Sequence, residues 1–461
     1  MKKLIVFLAV FALLAGVAFA QITLGGWGNG IFAPIMVEGA PQAYGVTLKD
    51  AAGKDLKSTV YAGTGGGWGD SKIAADVYVS GSTDEIGFGT GFNKDGTFQG
   101  SIWAKPFNGS DMFKLTVGNF EDNTLRGKIT TDKIFEDFTI GMWQGLGEAG
   151  IFSNFHSPMN DNGGNKNGSV PQGFMLSSIP MEGLFIGILV NGSLGSGEWI
   201  GDWQGNPNPV PIEEGGETGV FAFDTLAKSM LRNMQIGFGY DIAGIGHFRA
   251  QWIGGYAGTE KLKEDDHEPW VGGPGRIEVA FALTAVENLL VDIGGKIWMP
   301  ITNDNDKPPK SSNGAAVGLG ASYRAGDFGI TARVQAGGLG AYDRKNPDDK
   351  MTKGMEMGII LIPTFNVGFG DIGLSLGFKA RNLGIKDAKG DAVEDQVQNK
   401  LGFGVFVDKG LNGWGNGHIK AGLAYSLPWL VTGVPPGSNE KKTGATGSAV
   451  FSIPVIIEYW W

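Results

Sequence analysis

Apolar residues recur at every second position through most of this chain, and strand spacing dominates over the 3.6-residue spacing of a helix. In 233–241, Met234, Ile236, Phe238 and Tyr240 alternate with Asn233, Gln235, Gly237, Gly239 and Asp241. In 276–284, Ile277, Val279, Phe281 and Leu283 alternate with Arg276, Glu278, Ala280, Ala282 and Thr284. Windows 246–254, 316–324, 327–336, 371–380 and 416–427 read the same way. Successive side chains on a strand point to opposite faces, so each window predicts one apolar face and one polar or small face.

A soluble sandwich also alternates, and the connections separate the two architectures. Short turns at 242–244, 325–327 and 368–371 alternate in the C-terminal half with long polar segments at 255–275, 300–314, 337–353, 381–399 and 428–447. Short turns on one side and long loops on the other are the habit of a transmembrane β-barrel. The parity becomes unclear before 255. Residues 193–232 form one long excursion, within which Phe221 to Leu231 has the pattern of a short helix.

Lys2 and Lys3, the apolar run Leu4 to Val17 and the small-x-small triplet Ala18-Phe19-Ala20 predict a cleaved signal peptide over 1–20. Beyond it no window offers about 18 apolar residues without charge or Gly, so any membrane crossing must be made by strands. The 79 Gly, 28 Phe and 13 Trp suit strands and turns, and the absence of Cys rules out a disulfide framework. No Pro/Ser-rich or charged linker divides the chain. The expected fold is all-β: a single large closed antiparallel transmembrane β-barrel over 21–461, with about 20 strands (18–22). The segment Thr23–Ile31 is expected to pair with Val450–Trp460.

The polar parity supplies the candidate pore-lining residues: Arg249, Arg276, Lys296, Arg324, Arg333, Lys379 and Lys420, with Glu278 and Asp292. Bases outnumber acids on that face, although the chain carries −10 overall and −12 once Lys2 and Lys3 are removed. The acidic excess is therefore expected in loops such as 262–268, 303–306, 347–349 and 391–395. Two outcomes stay open: the bases bias the lumen toward anions, or they pair with acids and hydrate the wall. Abundant inward Gly predicts a roomy lumen.

Motifs with catalytic spelling do not hold up physically. Gly373-Leu-Ser375-Leu-Gly377 spells G-x-S-x-G, but Ser375 falls inside an alternating strand and not at a strand-to-helix turn. Gly145 to Gly150 and Gly368 to Gly373 spell G-x-G-x-x-G without a βαβ context. His156, His247, His267 and His418 lack metal-ligand spacing, and Glu264 to Glu268 reads as a solvated acidic loop. No catalytic residue, metal or cofactor is expected.

The final strand places Phe451, Ile453, Val455, Ile457, Tyr459 and Trp461 on one parity and stops on an aromatic residue. This resembles the C-terminal signature of Gram-negative outer-membrane proteins, which implies that Tyr459 and Trp461 are read by the barrel-assembly machinery. Residues Ile102 to Phe107, Val117 to Phe120 with Thr124 to Lys128, and Gln235 to Tyr240 running to Phe248 to Trp252 resemble a group of spirochaete outer-membrane proteins of unassigned function. That resemblance supplies no catalytic or ligand residues. Together these readings predict export to the outer membrane and a porin-like channel for passive diffusion of small hydrophilic solutes, favouring anions. The alternatives are a selective transporter of a hydrophobic or oligosaccharide solute, suggested by Trp199, Trp203 and Trp270, and a surface adhesin or structural barrel. The expected partners are outer-membrane lipid, the assembly machinery and small solutes, with a homo-oligomer compatible and no nucleic acid.

Overall fold

The computed structural model describes residues 21–65, 73–93, 98–120, 125, 170–191, 234–254, 275–299, 311–344, 350–352, 354–386, 397–412, 416–433 and 440–460. The expected signal peptide, the excursion 193–232, the acidic run 264–268 and Trp461 lie outside them.

Twenty-two strand segments hydrogen-bond into one sheet, every pair antiparallel. Several segments continue one another along a shared neighbour. Thr59–Gly65 and Ile73–Ser82 both run along Gln21–Glu38. Asn416–Ser426 and Trp429–Gly433 both run along Gln398–Asn412. Lys442–Thr446, Val450–Ser452 and Val455–Trp460 form the last crossing in the same way. Counting collinear segments once leaves 18 crossings among the described residues, an even number within the expected range.

The sheet closes through its first and last crossings. Trp27–Phe32 pairs with Val455–Trp460, and Met36–Glu38 pairs with Val450–Ser452. The expected pairing is found for Trp27–Ile31, but it is shifted along the first strand, which runs on to Glu38 and meets Val450–Ser452 there. Pro454 has no N–H to donate and falls at the interruption between the two segments. Closure removes the unpaired edge, so every strand finds a neighbour on both sides.

At the end where Gln21 and Trp460 meet, the connections are short: 83–85, 105–113, 182–183, 243–245, 284–288, 326–327, 367–370 and 413–415. At the opposite end they reach from Phe120 to Val170 and from Asn191 to Gln235, with 94–97 and 434–441 the short exceptions. The asymmetry therefore extends to the N-terminus, where the Gly-rich sequence did not show it. Parts of the expected loops are strand: Trp429–Gly433 pairs with Lys442–Thr446 inside 428–447, and Ser311–Ser312, Tyr342–Arg344 and Lys350–Thr352 form a small sheet above the rim.

The two faces carry opposite chemistry. Within Leu289–Trp298, Lys296 is 5% exposed while the next residue, Ile297, is 60% exposed. The same inversion separates Glu278 from Val279 and Lys379 from Phe378. Most large apolar side chains face outward and the buried charged ones face inward.

Candidate functional site

The inner wall collects the polar residues because the register aligns their parity from strand to strand. Gln251, Glu278 and Lys296 are direct cross-strand partners on three successive strands. The Gln251 Nε2 donates to Glu278 Oε2 at 2.7 Å, the Arg276 Nε donates to Oε1 at 2.7 Å, and the Lys296 Nζ lies 3.1 Å from Oε1. Arg276 is 1% exposed and Glu278 2%. One carboxylate thus holds two cations out of bulk water, an arrangement tolerable only because all the partners are present.

Other inward bases repeat the theme nearer the rims. Asp241 Oδ1 receives Arg249 Nη2 at 2.6 Å and lies 2.9 Å from His247 Nδ1. Arg324 grips Asp371 through both Nη atoms at 3.1 and 3.0 Å, with Asn366 Nδ2 donating to the same carboxylate at 2.8 Å. Lys379 Nζ lies 3.1 Å from Glu356, and Lys420 Nζ lies 3.3 Å from Asp408. Asp292 and Arg333 are also buried on the inner face, flanking Gly320 on the intervening strand.

The nine residues named from parity share the inward parity of their strands: Arg276, Glu278, Asp292, Lys296, Arg333 and Lys379 are buried there, Arg249 and Lys420 are partly buried, and Arg324 is exposed. The acids were placed differently: Asp241, Glu356, Asp371 and Asp408 share that wall and are not confined to loops. Arg249, Arg276, Lys296, Arg324, Lys379 and Lys420 each lie within 4.0 Å of a carboxylate. Of the two outcomes left open by sequence, pairing is the one observed for them.

The expectation of a roomy lumen is corrected in part, because several inward glycines make room for side chains and not for solvent. Leu125, in the connection after Lys114–Phe120, is fully buried against Gly187 and Gly237 and packs with Phe120 and Leu189, beside Met175 and Phe185. A Cβ on Gly237 would lie 2.5 Å from that of Leu125. Phe406 likewise occupies the space over Gly373. Leu125 is thus a loop residue packed inside the wall.

Ser375 is buried within the strand Asp371–Leu383, as its alternating context required of a residue that is no nucleophile elbow. Tyr459 pairs with Gly28 and Gly417 in the closing strand. Sequence reasoning missed Arg381, Gln398, Lys400 and Trp429. Arg381 Nε donates to Gln398 Oε1 at 2.7 Å, and the Trp429 ring centroid lies 4.1 Å from the Arg381 guanidinium carbon and 5.6 Å from Lys400 Nζ.

No protein-family model matches the chain, and no curated protein matches it. The solved structures similar to it include OpdQ of Pseudomonas aeruginosa, at 10% identity over 96% of this chain and 98% of that one, TM-score 0.45. OmpT, an outer membrane protein of Vibrio cholerae, is 10% identical over 95% and 98%, TM-score 0.39. A mutant of Rh. blastica porin is 10% identical over 95% and 100%, TM-score 0.37. The chain is an all-β closed barrel. Its own register establishes this, independently of those distant likenesses.

Proposed function

We propose that this barrel is an outer-membrane channel for passive diffusion of small hydrophilic solutes, exported by its signal peptide and inserted through its C-terminal aromatic signal. The carrying observation is the inversion of its faces: a closed sheet with apolar residues outside and ionised residues inside suits lipid around it and a polar path within. The buried hydroxyls of Ser375, Ser426 and Ser452 have no protein partner among the described residues, which favours water along the inner wall. The short connections then face the periplasm and the long ones the exterior. Such a channel performs no catalysis and needs no cofactor.

Planar-bilayer recording of the purified protein in a salt gradient tests this. Stepwise conductance with weak anion preference is expected, weak because most wall bases carry a carboxylate partner. Neutralising Arg249, Arg276, Arg324 and Arg333 together should move the reversal potential toward cations. A folded barrel that passes no current would sink the channel reading, and a native channel that is clearly cation-selective would sink the anion preference. Leu125 on the inner wall favours a second reading, a more selective transporter, which predicts that small sugars are excluded while salt still passes.

A further inference from the structure

We propose that Arg381 anchors a binding site, on the outer part of the lumen wall, for a small solute bearing a carboxylate or phosphate. The site deepens the channel reading and rests on solutes reaching the lumen. It is built from Asp371–Leu383, Gln398–Asn412 and Trp429–Gly433, where Arg381 pairs in register with Gln398 and Lys379 with Lys400.

Three observations distinguish this guanidinium from the other wall bases. First, it is fixed before any ligand arrives: Nε is held by Gln398 at 2.7 Å and the plane lies against Trp429 at 4.1 Å. That leaves the paired Nη edge, the fork that matches two oxygens of a carboxylate or phosphate. Second, Arg381 has no carboxylate within ion-pairing distance among the described residues, whereas Arg249, Arg276 and Arg324 each have one. It is also half-buried and so open to the lumen, unlike the enclosed Arg276. Third, Lys379 and Lys400 stand directly opposite each other on neighbouring strands, and like charges in that position destabilise a sheet. Glu356 offsets Lys379 at 3.1 Å. The arrangement concentrates positive charge beside an oriented fork, which suits an anion that visits and leaves.

The test is the ³¹P linewidth of inorganic phosphate titrated with the detergent-folded full chain. The native barrel should broaden the line saturably. Arg381→Gln should weaken binding about tenfold, Arg381→Lys should restore part of it by returning charge without the fork, and Lys49→Gln in the exposed rim should match the native protein. Heat-modifiable gel migration confirms that each variant is folded. Equal broadening by native and Arg381→Gln barrels, or none by either, overturns the site. Because this readout needs no current, a barrel that binds phosphate but does not conduct would keep the site and remove the channel, and one that conducts without binding would do the reverse.

Discussion

Replacing Glu278 by Gln removes one charge and changes almost no volume, so it isolates what the buried carboxylate does. In the native wall it accepts from Arg276 and Gln251 at 2.7 Å and faces Lys296 at 3.1 Å, with Arg276, Glu278 and Lys296 all at most 5% exposed. Breaking a buried ion pair costs about 3–5 kcal/mol, and here two cations lose the same counter-charge, although the amide oxygen keeps one donor. A destabilisation of about 3 kcal/mol is expected, which at a denaturant slope of about 3 kcal/mol/M lowers the urea midpoint by about 1 M. The assay is equilibrium unfolding of the detergent-folded barrel, followed by tryptophan fluorescence and by heat-modifiable migration. Asp55→Asn provides the contrast, since its 3.9 Å contact with Lys49 is exposed and should be worth about 0–1 kcal/mol. The double variant Glu278→Gln/Lys296→Gln should recover part of the loss, because one stranded cation is gone. A midpoint for Glu278→Gln indistinguishable from native would refute the idea that this charge holds the wall together.

Gly237→Ala should destabilise the barrel by about 1–3 kcal/mol, because its Cβ would lie 2.7 Å from the Leu125 carbonyl oxygen, whereas Gly410→Ala meets nothing within 4 Å and should leave the unfolding midpoint in place. Deleting Tyr459 to Trp461 unpairs Tyr459 from Gly28 and Gly417 and Trp460 from Trp27 and Asn416. The truncated chain should therefore be missing from outer-membrane fractions, and its appearance there at normal levels would dispose of the terminal-signal argument.

How far the sequence disclosed this depended on how much each strand buries on one face. Arg276–Leu283 and Gln235–Ile242 were legible residue by residue, because lipid on one side and polar neighbours on the other enforce strict alternation. Residues 381–399 read as a loop, since strands that rise toward the rim are polar on both faces and lose the periodic signal. That is why Arg381 and Gln398 went unseen, and Trp429 was hidden in the same way inside the expected loop 428–447. The Gly-rich first third hid its register for a different reason: a residue without a side chain carries no facing information. The acids opposite the wall bases, Asp241, Glu356, Asp371 and Asp408, needed the register itself, because nothing in a single strand tells which charge on another strand it will meet.

The pairing of Trp27–Phe32 with Val455–Trp460 has a temporal consequence. The earliest strand to be made finds its second neighbour only in the latest, so its hydrogen-bonding groups on that side wait, unsatisfied, until nearly the whole chain has been delivered. A contact of such sequence separation is slow to form and leaves an adhesive edge exposed meanwhile. Closure of this barrel therefore waits for the final few residues, and they act as the latch that satisfies the first strand.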